Sequence, residues 1–324
     1  MFSDTDLLLD RTCIGRGSFG SVHTIHGGPL AYKQVLQQSD ADVLLNEYRA
    51  LESIFVTQTS HSFFSLPRPY VYYNPEFDII ACNYQGNLEE SPYQSKVTKD
   101  LFCGFDKACY LMERVFGIPY PAALVIREMY YPQSISAPSP TLCRLYFGKV
   151  LDVDDDVKMK EKKEARRPRR FFTSANFPLD VKRYAALAVR FPCLPAASAV
   201  AYGMGEMLGR IHRRGYDGSD IEFVLGGDGF VGFRFVTIDF NQMRTNALLH
   251  SPASARGLAV SFFRNDPYYP RPRTTDTLYL DFRRGYLAAW PHHVEAKTAA
   301  LAFLAAIEEE QLGRDAAKVS VSGD

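Results

Sequence analysis

The sequence predicts an α+β protein of two lobes, with a small β-rich lobe in front of a larger, mainly helical one. A glycine-rich segment near the N-terminus lies between strand-like runs, whereas the rear half carries helical periodicities around a short hairpin pattern. With 324 residues and 46% hydrophobic side chains, the chain is long enough and apolar enough for two lobes. We expect the division after residue 131, giving lobes of residues 1–131 and 132–324.

Composition argues against several classes of partner. The 37 basic and 37 acidic side chains cancel, so no overall field favours nucleic acid or an anionic membrane. None of the six cysteines forms a C-x-x-C pair, which argues against a zinc ribbon or a redox motif. We find no signal-peptide pattern, and no apolar run approaches the roughly 20 residues of a membrane helix. The sequence therefore predicts an intracellular protein, cytoplasmic or nuclear.

The segment "CIGRGSFGSVHTI" has the properties of a phosphate-binding hairpin. Gly15, Gly17 and Gly20 recur between strand-like residues, and Val22 follows two positions after the last glycine. Glycines at this spacing let backbone N–H groups approach phosphate oxygens closely. Because no helix follows at once, the pattern does not fit a dinucleotide-binding Rossmann unit.

A lysine and a glutamate follow the glycines. In "LAYKQV", Lys33 lies on a predicted strand, and "SDADVLLNEYRALESIF" predicts a helix with Glu47 beside an apolar stripe that includes Val43 and Leu44. A lysine paired with such a glutamate can hold phosphate oxygens with its ammonium group. The alternative is a surface lysine and an ordinary helix-face glutamate.

This ordered series resembles the small lobe of a protein kinase. The resemblance implies a protein-kinase-like fold and an ATP site at Gly15, Gly17, Gly20, Val22, Lys33 and Glu47. It also implies a hinge near the end of "PAALVIREMYYP", which we interpret as a strand with backbone groups around Glu128 offered to adenine.

The stretch "GYDGSDIEFVLG" concentrates three carboxylates, Asp217, Asp220 and Glu222, next to an apolar run. Such groups repel one another when buried unless a cation, a proton or water offsets the repulsion. A predicted helix precedes them. A predicted hairpin and Asp239-Phe240 follow, which resembles the order of elements in the large lobe of kinases.

The kinase resemblance allows two registers for the catalytic loop. In the preferred register Asp217 is the base, Glu222 takes the place of the usual metal-binding asparagine, and Asp239 is the second Mg²⁺ ligand. In the rival register Asp220 is the base, which requires a deletion of two residues. No histidine–arginine pair precedes either aspartate directly, a departure from the kinase pattern that favours a pseudokinase. The alternative is that Asp217 and Asp220 only cap turns.

The rear two-thirds resembles a fungal family named domain of unknown function 3669. The motifs that carry this resemblance are "DIEFVLG", "IDFNQM" and "FFRNDPYYPRP". The family name implies no activity. Tyr268 and Tyr269 of the last motif either form an aromatic wall for a substrate or pack into the rear lobe.

The resulting expectation is a kinase-like protein that binds ATP and Mg²⁺ and transfers phosphate to a hydroxyl group of a small molecule or a protein. The alternative is a pseudokinase, a kinase-shaped interaction module without phosphotransfer. A third reading, nucleic-acid binding by the basic run 158–170, is the weakest because aromatic residues are not interleaved with it. This run belongs to a charged insertion at about 151–170.

Overall fold

A computed structural model of the chain describes residues 11–25, 28–77, 79–81, 99–131, 139–151, 176–245, 252–265 and 267–321. The chain divides into two compact units. The first consists of Met1–Thr57 and Leu66–Val115, and the second of Gln58–Ser65 and Phe116–Asp324. The main division between the units thus follows Val115, whereas we expected it after residue 131. The charged insertion lies almost wholly outside the described residues.

The first unit is β-rich, as predicted. Its sheet has the strand order β1-β2-β3-β6-β4-β5, and all of its pairings are antiparallel. A helix, α1, contacts β4 and β6. The elements are β1 (Arg11–Arg16), β2 (Gly20–Ile25), β3 (Leu30–Val35), α1 (Ala41–Phe55), β4 (Pro69–Asn74), β5 (Ile79–Ala81) and β6 (Cys109–Glu113), with short 3-10 helices at Gln38–Asp40 and Lys99–Phe102.

Aromatic and aliphatic side chains fill the core of the first unit. Tyr32 of β3 stacks on Phe105 with ring centroids 4.8 Å apart, and Val71 and Leu111 of the neighbouring strands join the same cluster. The predicted apolar stripe of α1 is buried at Leu44, but Val43 is 41% exposed. Val43 directly precedes the buried Leu44 and therefore lies about 100° away from it around the helix.

The second unit is mainly helical, so the α+β class is confirmed. Its sheet has the order β10-β9-β7-β8, with β7 and β8 parallel. The segment Gln58–Ser65 joins this unit because Ser65 bonds to β10 through its N–H and its carbonyl oxygen. The elements are α2 (Tyr120–Tyr130), β7 (Leu142–Tyr146), β8 (Asn176–Asp180), α3 (Val181–Arg190), α4 (Ala197–Arg213), β9 (Glu222–Gly227), β10 (Phe233–Ile238), α5 (Pro252–Arg264), α6 (Thr277–Ala288) and α7 (Val294–Val321).

One predicted strand is wrong. Residues 121–130 of the segment "PAALVIREMYYP" belong to the helix α2, which buries Ala122, Ala123 and Ile126 at helical spacing. A proline in its first turn fixes φ at a value suited to a helix start. The N–H of Tyr131 bonds to the Arg127 carbonyl oxygen at the end of this helix. The backbone around Glu128 is therefore engaged in a helix and does not form the hinge strand that we expected.

Glycines allow α4 and α6 to pack with their backbones in close contact. A Cβ atom at Gly205 would overlap the carbonyl oxygen of Phe282, and a Cβ at Gly285 would overlap that of Tyr202. No larger side chain fits at either position without moving a helix. The α4 helix ends at Arg213, and Gly215 follows it with a φ of 85°, a left-handed conformation that favours glycine.

Candidate functional site

The glycine-rich segment forms the predicted hairpin. Gly15 pairs with Val22 across β1 and β2, and the N–H of Gly17 donates to the carbonyl oxygen of Gly20 over 2.9 Å. A Cβ at Gly20 would lie 2.8 Å from the carbonyl oxygen of Gln34 on β3. Gly20 is therefore required by the sheet, whereas Cβ atoms at Gly15 and Gly17 would meet only ordinary contacts.

Lys33 and Glu47 form a buried ion pair. Lys33 pairs with Val22 across β2 and β3, and its Nζ lies 2.6 Å from Oε1 of Glu47 on α1. The side chains of Lys33 and Glu47 are 12% and 1% exposed. The hydroxyl of Tyr110 donates to the same Oε1 over 3.2 Å. Separating the two groups would leave an uncompensated buried charge, so the folded protein keeps Lys33 and Glu47 together.

Asp217 is buried and is held by the polypeptide around it. Its Oδ1 accepts from the N–H groups of Ser219 and Arg244 over 3.0 Å each. Its Oδ2 accepts from the hydroxyls of Ser219 and Ser261 over 2.9 and 3.1 Å. Four donors use most of the capacity of one carboxylate, so Asp217 organises the loop between α4 and β9.

Asp220 and Asp239 share an unusual backbone conformation. Among the described non-glycine residues, only these two have a positive φ, 62° for Asp220 and 66° for Asp239. A left-handed conformation at such residues costs about 1–3 kcal/mol and is concentrated at functional sites. Oδ2 of Asp220 accepts from the side-chain amide of Gln242 over 2.7 Å. Strain therefore marks one predicted base and one predicted metal ligand.

Asn265 holds the loop that carries Asp220, and sequence reasoning missed this role. Its Nδ2 donates to the carbonyl oxygens of Gly218 and Ile221 over 3.1 Å each, and its Oδ1 accepts from the Asp220 N–H. Asn265 is 3% exposed. Asn265 is the first residue of "NDPYYPRP", and this motif was the feature of the sequence that could have indicated its role. Three hydrogen bonds from one buried side chain fix the strained backbone of this loop.

Glu222 forms an ion pair that the sequence did not predict. Its Oε1 lies 2.7 Å from Nη2 of Arg144 on β7, and a hydrogen bond from Tyr268 also reaches it. Burial raises the pKa of Glu222 to about 7; Arg144 opposes this shift, and the negative charges of Asp239 and Asp220 add to it. The negative charges of Asp220 and Asp239 thus act on Glu222, and Arg144 supplies a positive charge beside it.

The donor types suit Mg²⁺, but they do not form a preassembled cage. Within the parts of the chain that the structure describes, no three His, Cys, Asp or Glu side chains are close enough to hold a metal ion together. Magnesium is usually bound by one or two carboxylates together with substrate phosphates and water. Asp239 with one neighbouring carboxylate is sufficient for that mode.

Tyr268 and Tyr269 pack into the second unit. They are 7% and 5% exposed, and Tyr269 stacks on Phe262 with ring centroids 4.6 Å apart. Of the two readings of the motif, packing into the rear lobe is the one observed.

The structure also describes no helix with the length and apolarity needed to span a membrane.

A family model for domain of unknown function 3669 (DUF3669), described as a zinc finger protein, matches residues 237–296. These residues include the motifs "IDFNQM" and "FFRNDPYYPRP", whereas "DIEFVLG" precedes them. The last cysteine of the chain is Cys193, so the matched segment contains no thiolate to ligate zinc. No curated protein matches the chain. The likeness to the DUF3669 family is thus shown for residues 237–296, which are less than half of the chain.

Proposed function

We propose that the protein binds ATP with Mg²⁺ and transfers phosphate to a hydroxyl group, in a fold similar to that of protein kinases. The observation that carries the proposal is the positive φ of Asp220 and Asp239, two strained aspartates at positions where the kinase pattern needs a base and a metal ligand. The buried Lys33–Glu47 pair beside the glycine hairpin is the second support.

Each side chain has a specific role in this proposal. Lys33 holds phosphate oxygens of the nucleotide, and Glu47 fixes the position of the ammonium group. Asp239 is the metal ligand, and the bound cation would offset charge on the phosphates. Asp220 accepts the proton of the attacking hydroxyl as the oxygen–phosphorus bond forms and ADP leaves. Asp217 is assigned to loop structure because its oxygens already accept four hydrogen bonds.

The strand order of the first unit is consistent with this proposal. The order β1-β2-β3-β6-β4, with a helix following β3, is that of a kinase small lobe, and β5 is an additional edge strand formed by a hairpin with β4. The glycines lie between β1 and β2, and Lys33 lies on β3. This arrangement supports a kinase-like small lobe better than a generic antiparallel sheet.

One observation favours the second candidate function, a nucleotide-binding module without phosphotransfer. Glu222, which the first register assigned to the metal, is engaged by Arg144 at 2.7 Å and by Tyr268. A cation already beside this carboxylate weakens its affinity for Mg²⁺. The two candidates therefore share nucleotide binding and differ only in turnover.

The test is thermal unfolding with ATP and Mg²⁺, followed by a turnover assay. We expect Mg·ATP to raise the midpoint of the wild type, because a ligand that binds only the folded state stabilises it. Lys33→Met and Asp239→Asn should each reduce this rise, and Lys297→Met is the control at an exposed lysine. If each residue makes a contact that nucleotide binding requires, the double variant should lose little more than either single variant.

No stabilisation of the wild type by Mg·ATP would refute nucleotide binding. Stabilisation without ADP release, with any of a panel of hydroxyl acceptors, would support the module without phosphotransfer. If turnover occurs, Asp220→Asn should abolish it and leave the Mg·ATP shift in place. Loss of turnover in Asp217→Asn alone would instead support the first register.

A further inference from the structure

The second unit contains a basic pocket that the proposed nucleotide chemistry does not use. Its volume is about 510 Å³, and it is open to solvent at the surface of this unit. Its walls are the segment that follows β7, the first turn of α3, and the segment that leads into α6. We call it the basic pocket and define it by Lys149, Lys182, Arg271 and Arg273.

Positive charge is concentrated there well beyond the average of the chain. Four of the eleven lining residues are basic, compared with 37 Lys and Arg in 324 residues overall. In a chain of zero net charge, such clustering in one concave site is a local feature that attracts anions. The ammonium groups of Lys149 and Lys182 each provide three N–H donors for such a ligand.

The two lining carboxylates reduce the charge of the pocket but do not neutralise it, because four cations face two anions; both carboxylates also serve as helix caps. Asp180 accepts from the N–H of Arg183 over 2.8 Å and from the N–H of Leu151 over 2.7 Å. Asp276 accepts from the N–H of Leu278 over 2.9 Å. Their negative charges are thus directed towards backbone donors at the starts of α3 and α6.

The four cations differ in how far they are already engaged. Arg273 makes a bidentate ion pair with Asp315, with both distances 2.7 Å. Within the described residues, Lys149 and Lys182 form no ion pair or side-chain hydrogen bond. The two lysines are therefore the groups with the most capacity for a new anion.

The walls of the pocket are fixed by contacts that do not involve the basic side chains. The N–H of Gly148 bonds to the Pro267 carbonyl oxygen over 2.9 Å, and Leu151 is held by the α3 cap. A Cβ at Gly148 would overlap the carbonyl oxygen of Tyr269, so the two segments are in direct backbone contact. The pocket is therefore preformed, and the lysines can be replaced without loss of the frame.

We propose that the basic pocket binds the phosphomonoester group of a ligand. A dianionic phosphate satisfies a pair of ammonium groups in a basic pocket better than one carboxylate does. The volume leaves room for more than a bare phosphate, and the proposed ligand is a phosphorylated peptide or a small phosphate ester. This proposal stands whether or not the protein transfers phosphate.

The test measures binding of a fluorescein-labelled phosphoserine peptide by anisotropy, without nucleotide, with inorganic phosphate and glycerol 3-phosphate as competitors. The unphosphorylated peptide is the ligand control. We expect Lys149→Glu/Lys182→Glu to weaken binding of the phosphopeptide at least tenfold, and Lys297→Glu, at an exposed lysine of α7, to leave it unchanged. Glutamate at position 182 lies in the first turn of α3, where a negative charge is favourable, so the variant should fold.

The competitors distinguish the two sources of phosphate. Equal displacement by glycerol 3-phosphate indicates that a small phosphate ester is sufficient, whereas displacement only by excess phosphopeptide indicates a phosphorylated protein segment. The proposal is overturned if the double variant binds as tightly as the wild type. It is also overturned if no phosphomonoester binds at millimolar concentration, or if Lys297→Glu weakens binding equally.

Discussion

Replacing Asp217 separates a structural aspartate from a catalytic one. Asp217→Ala removes the acceptor for two backbone amides and two serine hydroxyls, at distances of 2.9 to 3.1 Å. A hydrogen bond to a charged group contributes about 1.5–3 kcal/mol, and these four share one acceptor and are not additive. We therefore expect a loss of about 3–5 kcal/mol in the free energy of unfolding of the second unit.

The conservative variants give a sharper comparison. Asp217→Asn keeps one carbonyl oxygen for the two amide donors, and the hydroxyls of Ser219 and Ser261 can reverse their roles, so we expect a loss of only about 1–2 kcal/mol. Asp220→Asn should change stability by less than about 0.5 kcal/mol, because asparagine tolerates a positive φ as well as aspartate does.

Trp290 provides the assay. It is the only tryptophan of the chain, it is 5% exposed, and it belongs to the second unit, so its fluorescence reports the unfolding of that unit. For a unit of this size, the Asp217→Ala loss corresponds to a midpoint lower by roughly 10 °C. Equal stability of wild type and Asp217→Ala would refute the assignment of Asp217 to loop structure.

Three further predictions concern the helix contact, the carboxylates and the loop. Gly205→Ala should destabilise the protein by more than about 2 kcal/mol, because the added Cβ would overlap the α6 backbone. Gly313→Ala is the control: a Cβ there has nothing within 4 Å, and alanine should stabilise the helix by about 0.5–1 kcal/mol. Denaturant titration of both variants measures these changes in the free energy of unfolding. Because the pKa of Glu222 is raised to about 7 in the folded protein, the folded state holds this proton more tightly than the unfolded state does. The free energy of unfolding of the wild type, measured relative to Glu222→Gln, should therefore fall as the pH rises from 4.5 to 7. Identical pH profiles for the two proteins would contradict this. Asn265→Ala should increase hydrogen exchange at the amide of Asp220, and unchanged exchange would show that Asn265 does not hold the loop.

Local patterns in the sequence were sufficient for features whose partners are close along the chain. The glycine hairpin was predicted because Gly15 and Val22 pair across one turn. The Lys33–Glu47 pair was predicted because a strand and the next helix present the two groups on neighbouring elements. The α+β class followed from the same periodicities, which depend only on residues within one element.

Tertiary structure alone decided the roles of the carboxylates. Asp217 is saturated by Arg244 and Ser261, which are 27 and 44 residues away. Glu222 is paired with Arg144 from a different strand. A carboxylate in the sequence has the same charge in every context, and only the donors brought to it by folding determine whether it is structural, paired or available to a ligand. The segment Tyr120–Tyr130 was predicted as a strand and is a helix. An apolar run of this length suits either element, and the neighbours packed against it decide which one forms.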